Sequence, residues 1–246
     1  MEAIDEQLAD GTSLYGWKSE SPLTPFAPSY AHYLTEKKIF SEEECKEWND
    51  YLLKQEPILF DEYEPKGDGK TGYCDLNLLQ FDFHLVEHLK TAVFDGVCQL
   101  LEISGNKSWQ QTLYAHSWFN VLRQGDGMDM HSHGYNKNSF LGFHLTVCAK
   151  DTFTTFFHPV KFQEEYYNAP NNIGHLTLFP DFIPHGVTPN NHEIPRISIA
   201  GDIYTESWLD ENSVILYNSN EEQLGGPWPS TTDVSSTKLG RVGDTK

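Results

Sequence analysis

Residues 140–147 read FLGFHLTV, and this stretch decides the fold of the chain. It is rich in aromatic and β-branched residues and contains no acid, lysine or arginine. Such a run is typical of a strand that is covered on both faces or lines the inside of a barrel. We therefore expect a barrel wall here, and His144 is a candidate to face its interior.

A second strand-like stretch further along the chain carries an anion-binding pattern. Residues 196–204 read RISIAGDIY and alternate cleanly, so that Ile197 and Ile199 share one face of the strand. Arg196 and Ser198 share the opposite face, which would present a guanidinium and a hydroxyl to one cavity. Because the planar fork of arginine pairs with a carboxylate through two hydrogen bonds, this face predicts an anion pocket.

Histidines cluster beside these strands in two places. His131 and His133 form an H-x-H motif, and His185 follows fifty-odd residues later, eleven residues before Arg196. Two short β-ribbons would bring the three imidazoles together. Ligands on one face of an octahedral iron(II) leave adjacent positions for a bidentate cosubstrate and for dioxygen. The pattern therefore indicates an iron site with a carboxylate-binding arginine behind it.

The third metal ligand has more than one candidate. In the usual facial triad a carboxylate stands two residues after the first histidine, whereas this chain has His133. If His133 binds, the site has three histidines and one less negative charge. If it does not, a nearby carboxylate such as Asp129, or a water molecule, completes the shell.

The motifs that carry a family resemblance extend over roughly residues 110–205. They are WFNVL at 118–122, HSH at 131–133, GHLTLFP at 174–180, PHGV at 184–187 and RIS at 196–198. In these motifs the chain resembles the 2-oxoglutarate- and iron(II)-dependent oxygenases of marine bacteria and their phages, in which H-x-H is usual where relatives have H-x-D.

This resemblance implies a fold, a site and a reaction. The fold would be mainly β (α+β), a double-stranded β-helix or jelly roll, like a cupin barrel. Iron(II), 2-oxoglutarate and dioxygen would be the cofactors, and 2-oxoglutarate would be decarboxylated to succinate while a small-molecule or peptidyl substrate is hydroxylated. The iron ligands would be His131, His133 and His185, and the cosubstrate contacts Arg196, Ser198 and Asn120, with no catalytic residue beyond the metal ligands.

Two other functions remain open. A cupin-type metalloenzyme would use the same barrel and three histidines without 2-oxoglutarate, and it would not need Arg196. A non-catalytic jelly-roll binding module would hold a sugar or peptide, and its histidines would bind no stoichiometric metal.

Composition limits the partners and the location. The chain has 246 residues and a formal net charge of -19, which argues against a nucleic-acid or anionic-membrane partner because phosphates are bound by clustered lysine and arginine. The sequence shows neither an apolar run of membrane-spanning length nor a secretory signal, so we expect a cytoplasmic protein, in the host cytoplasm if phage-encoded. The four cysteines are dispersed, which predicts reduced thiols. The sequence contains no signal for the oligomeric state.

One oxygenase domain is expected over residues 31–217, with its jelly-roll core at about 110–205. Residues 1–30 would be an irregular extension, and the polar tail at 218–246 would be poorly ordered. A capping box at 41–44, SEEE, predicts a helix from Glu42 to Gln55. Apolar residues recur every fourth position within 84–103 and predict a second helix, and both helices would buttress one sheet of the barrel.

Overall fold

The computed structural model describes residues 2–27, 29–62, 77–106, 108, 111–134, 140–159, 165–205 and 213–218. The strands are β1 (Glu2–Gln7), β2 (Ser13–Lys18), β3 (Ala31–Lys38), β4 (Leu113–Leu122), β5 (Met128–His131), β6 (Leu141–Cys148), β7 (Phe153–Phe157), β8 (Glu165–Pro170), β9 (His175–Pro180), β10 (His185–Val187), β11 (Arg196–Tyr204) and β12 (Val214–Tyr217). The helices are α1 (Glu42–Glu62) and α2 (Val86–Ile103), with a short 3-10 helix at Leu78–Gln80 between them.

The strands form two antiparallel sheets. The larger sheet has the order β1-β2-β3-β9-β6-β11-β4-β12, and the smaller has the order β5-β10-β7-β8. Between β4 and β11 the chain passes back and forth between the two sheets. Four strands of the larger sheet and the four strands of the smaller sheet therefore form the two walls of one barrel. This interleaving is the double-stranded β-helix, and it confirms the predicted fold.

The two faces of the larger sheet have different partners. Odd-numbered residues of β11, such as Ile197 and Ile199, are fully buried in a core that also contains Trp48 of α1 and Val93 of α2. Even-numbered residues of the same strand point the other way, toward the smaller sheet. The predicted buttressing of one sheet by both helices is therefore confirmed, and it leaves the opposite face free to carry a site.

The first helix begins as its sequence predicts. The hydroxyl of Ser41 accepts from the amide of Glu44 at 3.2 Å, and the carboxylate of Glu44 accepts from the amide of Ser41 at 2.8 Å. This reciprocal pair is the predicted capping box. The helix continues past the predicted end at Gln55, through Pro57 to Glu62. The second helix begins at Val86, close to its predicted start, and ends at Ile103.

The prediction of an irregular segment over residues 1–30 is wrong for its first half. Strands β1 and β2 form a hairpin that extends the larger sheet through β3. The turn contains Asp10-Gly11, a favoured hairpin pair, with Gly11 at a φ of 83°. Leu14 and Trp17 are buried and attach the hairpin to the body. Residues 19–27 and 29–30 form neither helix nor strand, as expected.

Other predictions have mixed outcomes. Cys45, Cys98 and Cys148 are free thiols, as predicted, and Cys74 lies outside the described residues. The predicted tail beyond Asn218 also lies outside them, and the division into domains stays a prediction. No helix in the described part of the chain is long and apolar enough to cross a membrane.

Candidate metal and anion site

Three histidines converge where the two short strands of the smaller sheet meet. His131 ends β5 and His185 begins β10, and the two residues are direct partners in the antiparallel register. His133 follows β5 and lies beside them. The ring centroid of His185 is 4.5 Å from that of His131 and 5.0 Å from that of His133. One ligand atom from each histidine lies within 4.8 Å of the others, so the group can hold one metal ion.

The hydrogen bonds of these histidines orient them for metal binding. Each Nδ1 contacts an oxygen atom: Asp129 O at 2.8 Å from His131, Ile183 O at 3.0 Å from His185, and a carboxylate oxygen of Asp202 from His133. Because a carbonyl or carboxylate oxygen only accepts, the proton sits on Nδ1 and the lone pair is left on Nε2. Three imidazoles that present Nε2 suit a divalent transition metal such as iron.

The surroundings of His185 and His133 shift the pKa values of the two rings in opposite directions. Burial, with the nearby His133 and His131, holds the pKa of His185 well below its ordinary value, so that this ring is neutral. Burial also opposes a charge on His133, but the hydrogen bond and the charge of Asp202 outweigh it and raise the pKa of His133. A metal ion would therefore have to displace a proton from His133 at low pH.

Arg196 lies at the start of β11 and is almost fully buried, with 2% of its surface exposed. Its Nη1 donates to Ser198 Oγ at 3.1 Å. Its Nε lies 3.2 Å from the side-chain amide of Asn171, whose oxygen accepts from it in the amide orientation that also satisfies Thr152 and Thr154. Burial lowers the pKa of Arg196 to about 10, which leaves the guanidinium charged at neutral pH. Among the described residues no ion pair includes it. A buried cation of this kind fits an anionic ligand.

One cavity joins the histidine cluster to the arginine. All six predicted site residues line it: Asn120, His131, His133, His185, Arg196 and Ser198. The strand register explains this convergence, because Ser198 on β11 pairs with Asn120 on β4 and both residues are buried on the inner face. The structure thus brings the two halves of the predicted site together in one enclosure.

His144 also lines this cavity, on the strand whose sequence predicted an interior position. It pairs with Ala200 of β11 and with Thr177 of β9. Burial, with a smaller contribution from the charge of Arg196, lowers the pKa of His144 to about 3. The ring is therefore a neutral donor and acceptor in the cavity that contains Arg196.

The structure identifies two polar residues that sequence analysis missed. Asp202 contacts His133 from β11, and the alternation that placed Arg196 and Ser198 on one face also places Asp202 there, so a signal was present. Asn171 contacts Arg196 from the connection between β8 and β9, and no local pattern points to it. Asp129, the alternative carboxylate ligand, is not part of the metal-binding group and contacts His131 through its backbone oxygen.

Comparison with known proteins gives structural relatives only. No protein-family model matches the sequence, and no curated protein matches it significantly. A prolyl-4-hydroxylase of Pseudomonas putida superposes with a TM-score of 0.52 at 11% identity, over 72% of this chain and 94% of that chain. The nickel complex of the non-heme monooxygenase ThoJ gives 0.52 at 10% identity, over 74% and 78%. The non-heme α-ketoglutarate-dependent epimerase SnoN from nogalamycin biosynthesis gives 0.51 at 10% identity, over 75% and 94%.

These relatives share the double-stranded β-helix with this chain. At 10–11% identity the likeness establishes the fold, while the roles of individual residues have to be argued from this site itself. The predicted kinship with oxygenases of marine bacteria and phages stays a prediction, as does the cytoplasmic location.

Proposed function

We propose that this protein is a 2-oxoglutarate- and iron(II)-dependent dioxygenase that hydroxylates a small-molecule or peptidyl substrate. One observation carries the proposal. The same cavity joins three imidazoles that present Nε2 to a buried guanidinium that has no carboxylate partner in the described part of the chain. A site that needs both a metal and a small dicarboxylate accounts for both features.

His131, His133 and His185 would hold the iron through Nε2. When bound, iron(II) supplies the oxidising chemistry, in which dioxygen is reduced while 2-oxoglutarate is decarboxylated to succinate. With all three histidines at the wall of the cavity, a bound metal would remain accessible to ligands that enter the cavity. The carbonyl and carboxylate oxygens at Nδ1 keep each ring in the orientation that the metal requires.

Arg196 and Ser198 would hold the distal carboxylate of 2-oxoglutarate, with Asn120 as a further contact. The guanidinium is held from both ends, by Ser198 at Nη1 and by Asn171 at Nε, so that its orientation is set before the anion arrives. Preorganised donors of this kind lose little entropy on binding. The neutral ring of His144 adds a hydrogen-bonding group in the cavity without adding charge.

Aromatic rings would keep water from the metal-binding side of the cavity. The Phe179 ring lies 4.7 Å from that of His185, the Phe156 ring 5.7 Å from it, and the Trp118 ring 5.7 Å from that of His133. Phe156 and Phe179 are almost fully buried. A low-polarity wall on this side strengthens electrostatic interactions inside the cavity and protects reactive species from solvent.

The test is succinate formation by protein that is loaded with iron anaerobically and then given oxygen and 2-oxoglutarate. We expect slow, iron-dependent succinate even without the prime substrate, and we expect His185→Ala to abolish it. The visible absorption of iron-loaded protein on addition of 2-oxoglutarate gives a second readout. Absence of both succinate and the new absorption band would contradict the proposal.

The three-histidine donor set also favours a second candidate, a cupin-type metalloenzyme that does not use 2-oxoglutarate. This enzyme would have no need for a buried guanidinium in the cavity. Replacement of Arg196 by methionine separates the two functions. Loss of 2-oxoglutarate binding with retained metal binding supports the dioxygenase, whereas metal-dependent activity that persists without Arg196 supports the cupin-type enzyme.

A further inference from the structure

The carboxylate of Asp202 lies against Nδ1 of His133 on the cavity face of β11. The side chain of His133 is 11% exposed and that of Asp202 is 33% exposed, so the pair is largely shielded from solvent. The backbone of His133 is held separately, because its amide donates to the carbonyl of Asp181 at 2.9 Å. Ring and backbone of this one residue are thus anchored by two different segments of the chain.

The pair also changes the charge of the site. A facial triad of two histidines and one carboxylate brings one negative charge to an iron(II) ion, whereas three neutral histidines bring none. A carboxylate that accepts from Nδ1 of a ligating histidine makes the imidazole a stronger donor and places its charge one residue behind the ligand. Asp202 is in that position relative to His133. His133 itself occupies the place in the motif where an aspartate usually stands.

We propose that Asp202 is a positioning residue for the metal, which fixes His133 as the third ligand and restores the negative charge that the motif lacks. This inference rests on the proposed function, because it takes His133 to be an iron ligand. It gives β11 two tasks in one alternating pattern. Arg196 and Ser198 at one end of the strand face the anion, and Asp202 nearer the other end supports the metal.

The first experiment measures the affinity of the purified apoprotein for Co(II) by calorimetry, together with the visible spectrum of bound Co(II). Asp202→Ala should weaken Co(II) binding about 10–100-fold, the usual cost of removing a carboxylate behind a ligating histidine. Asp202→Asn keeps an acceptor for Nδ1 but not the charge, so we expect an intermediate loss. Equal affinity in wild type and in both variants overturns the proposal.

A matched control exists elsewhere in the fold. Glu36 accepts from Nδ1 of His175 at 2.7 Å in a second carboxylate–histidine pair, away from the cavity lining. Glu36→Gln makes the same chemical change as Asp202→Asn, and we expect it to leave Co(II) affinity unchanged. Loss of affinity in the Glu36 variant equal to that in the Asp202 variant would show that any disturbed pair weakens the site, which overturns the specific role.

A double-mutant cycle with His133→Asp tests the charge argument directly. In the His133→Asp background the carboxylate ligand is back in the motif, and Asp202 faces a like charge. We expect Asp202→Asn to weaken Co(II) binding in wild type but to leave it unchanged or improve it in that background. The same loss in both backgrounds would mean that Asp202 acts only on the fold, which overturns the proposal.

Failure of this inference is distinguishable from failure of the proposed function. Wild-type protein that binds no Co(II), or that binds it equally after His185→Ala, contradicts the metal site itself. Wild-type protein that binds Co(II) through His185 but is indifferent to Asp202 contradicts only the positioning role. Asp202→Asn is close in shape to the native residue, so its folding can be checked by circular dichroism before either measurement is interpreted.

Discussion

Arg196 donates from Nη1 to the hydroxyl of Ser198, 3.1 Å away on the same face of β11. The two residues are also the pair that sequence alternation placed together. Since both are almost fully buried, the guanidinium has lost its water without gaining a carboxylate among the described residues. Burial of such a cation costs desolvation free energy, and binding of an anionic ligand beside it recovers part of that free energy.

Replacement of Arg196 by methionine should therefore abolish tight binding of 2-oxoglutarate while sparing the metal. Loss of one partner from a buried charge pair costs about 2–5 kcal/mol, which corresponds to a rise in Kd of about 30-fold to several thousand-fold. Calorimetric titration of the Co(II)-loaded protein with 2-oxoglutarate measures this change. Co(II) affinity in the same variant should stay within about threefold of wild type, since Arg196 is not in the metal-binding group.

Arg123 provides the matched control for that experiment. It follows β4 in the chain and pairs through both terminal nitrogens with Glu56, each at 2.8 Å. Arg123→Met removes the same charge outside the cavity, and we expect unchanged 2-oxoglutarate affinity. If this variant loses affinity as Arg196→Met does, the effect is one of net charge and the carboxylate-binding role of Arg196 is wrong.

Single replacement of His131, His133 or His185 by alanine should eliminate stoichiometric metal binding. Each residue contributes one of three ligand atoms within 4.8 Å, so loss of a ligand should cost more than the roughly 10–100-fold typical of residues behind the ligands. Metal content after dialysis against Co(II) checks this. His84→Ala is the control, because His84 is 63% exposed and pairs with Glu47 at the surface. A variant of the three that keeps one equivalent of metal removes its residue from the ligand set.

Several parts of this site were predictable because their signals are local. The H-x-H motif places two imidazoles at the end of one strand, and β-alternation places Arg196 and Ser198 on one face. Antiparallel pairing of β5 with β10 is then sufficient to place His185 next to His131. The capping box before α1 is local in the same sense.

The remaining parts depend on contacts between distant segments. Asp202 and His133 are separated by 69 positions, and their contact follows from how β11 lies across the barrel from β5. Asn171 reaches Arg196 from a connection with no periodic pattern. The hairpin of β1 and β2 has a recognised signal in its Asp10-Gly11 turn, but the serine- and proline-rich residues 19–28 that follow it favour irregular structure.

The stability of the metal-free protein should fall as the pH is lowered below 7. Burial, with the charge of Arg196, lowers the pKa of His144 to about 3 from an ordinary value of 6.5. Between these values the unfolded chain holds a proton on His144 that the folded chain does not, so the free energy of unfolding decreases as the pH falls. At pH 5 this one residue should account for about 2 kcal/mol.

The variant His144→Gln should flatten that dependence. Urea unfolding of the chelator-treated protein at pH 7, 6 and 5 gives the free energy of unfolding in each case. The slope against pH should be smaller in the variant than in wild type, whereas the exposed His84→Ala should keep the wild-type slope. An identical slope in the His144 variant would mean that the folded protein protonates this ring as readily as the unfolded chain does.

Gly174 should tolerate alanine far less well than Gly11, although both glycines have a positive φ, 81° and 83°. A Cβ at Gly174 would lie 2.2 Å from the carbonyl oxygen of Phe40, whereas a Cβ at Gly11 would meet nothing within 4 Å. Gly11→Ala should therefore show only the backbone cost of about 1 kcal/mol, and Gly174→Ala a further ~1–3 kcal/mol from the steric overlap. Urea unfolding of the two variants measures the difference. Equal losses would mean that the Phe40 carbonyl moves aside, and that the junction of β3 with β9 is not as closely packed as the structure indicates.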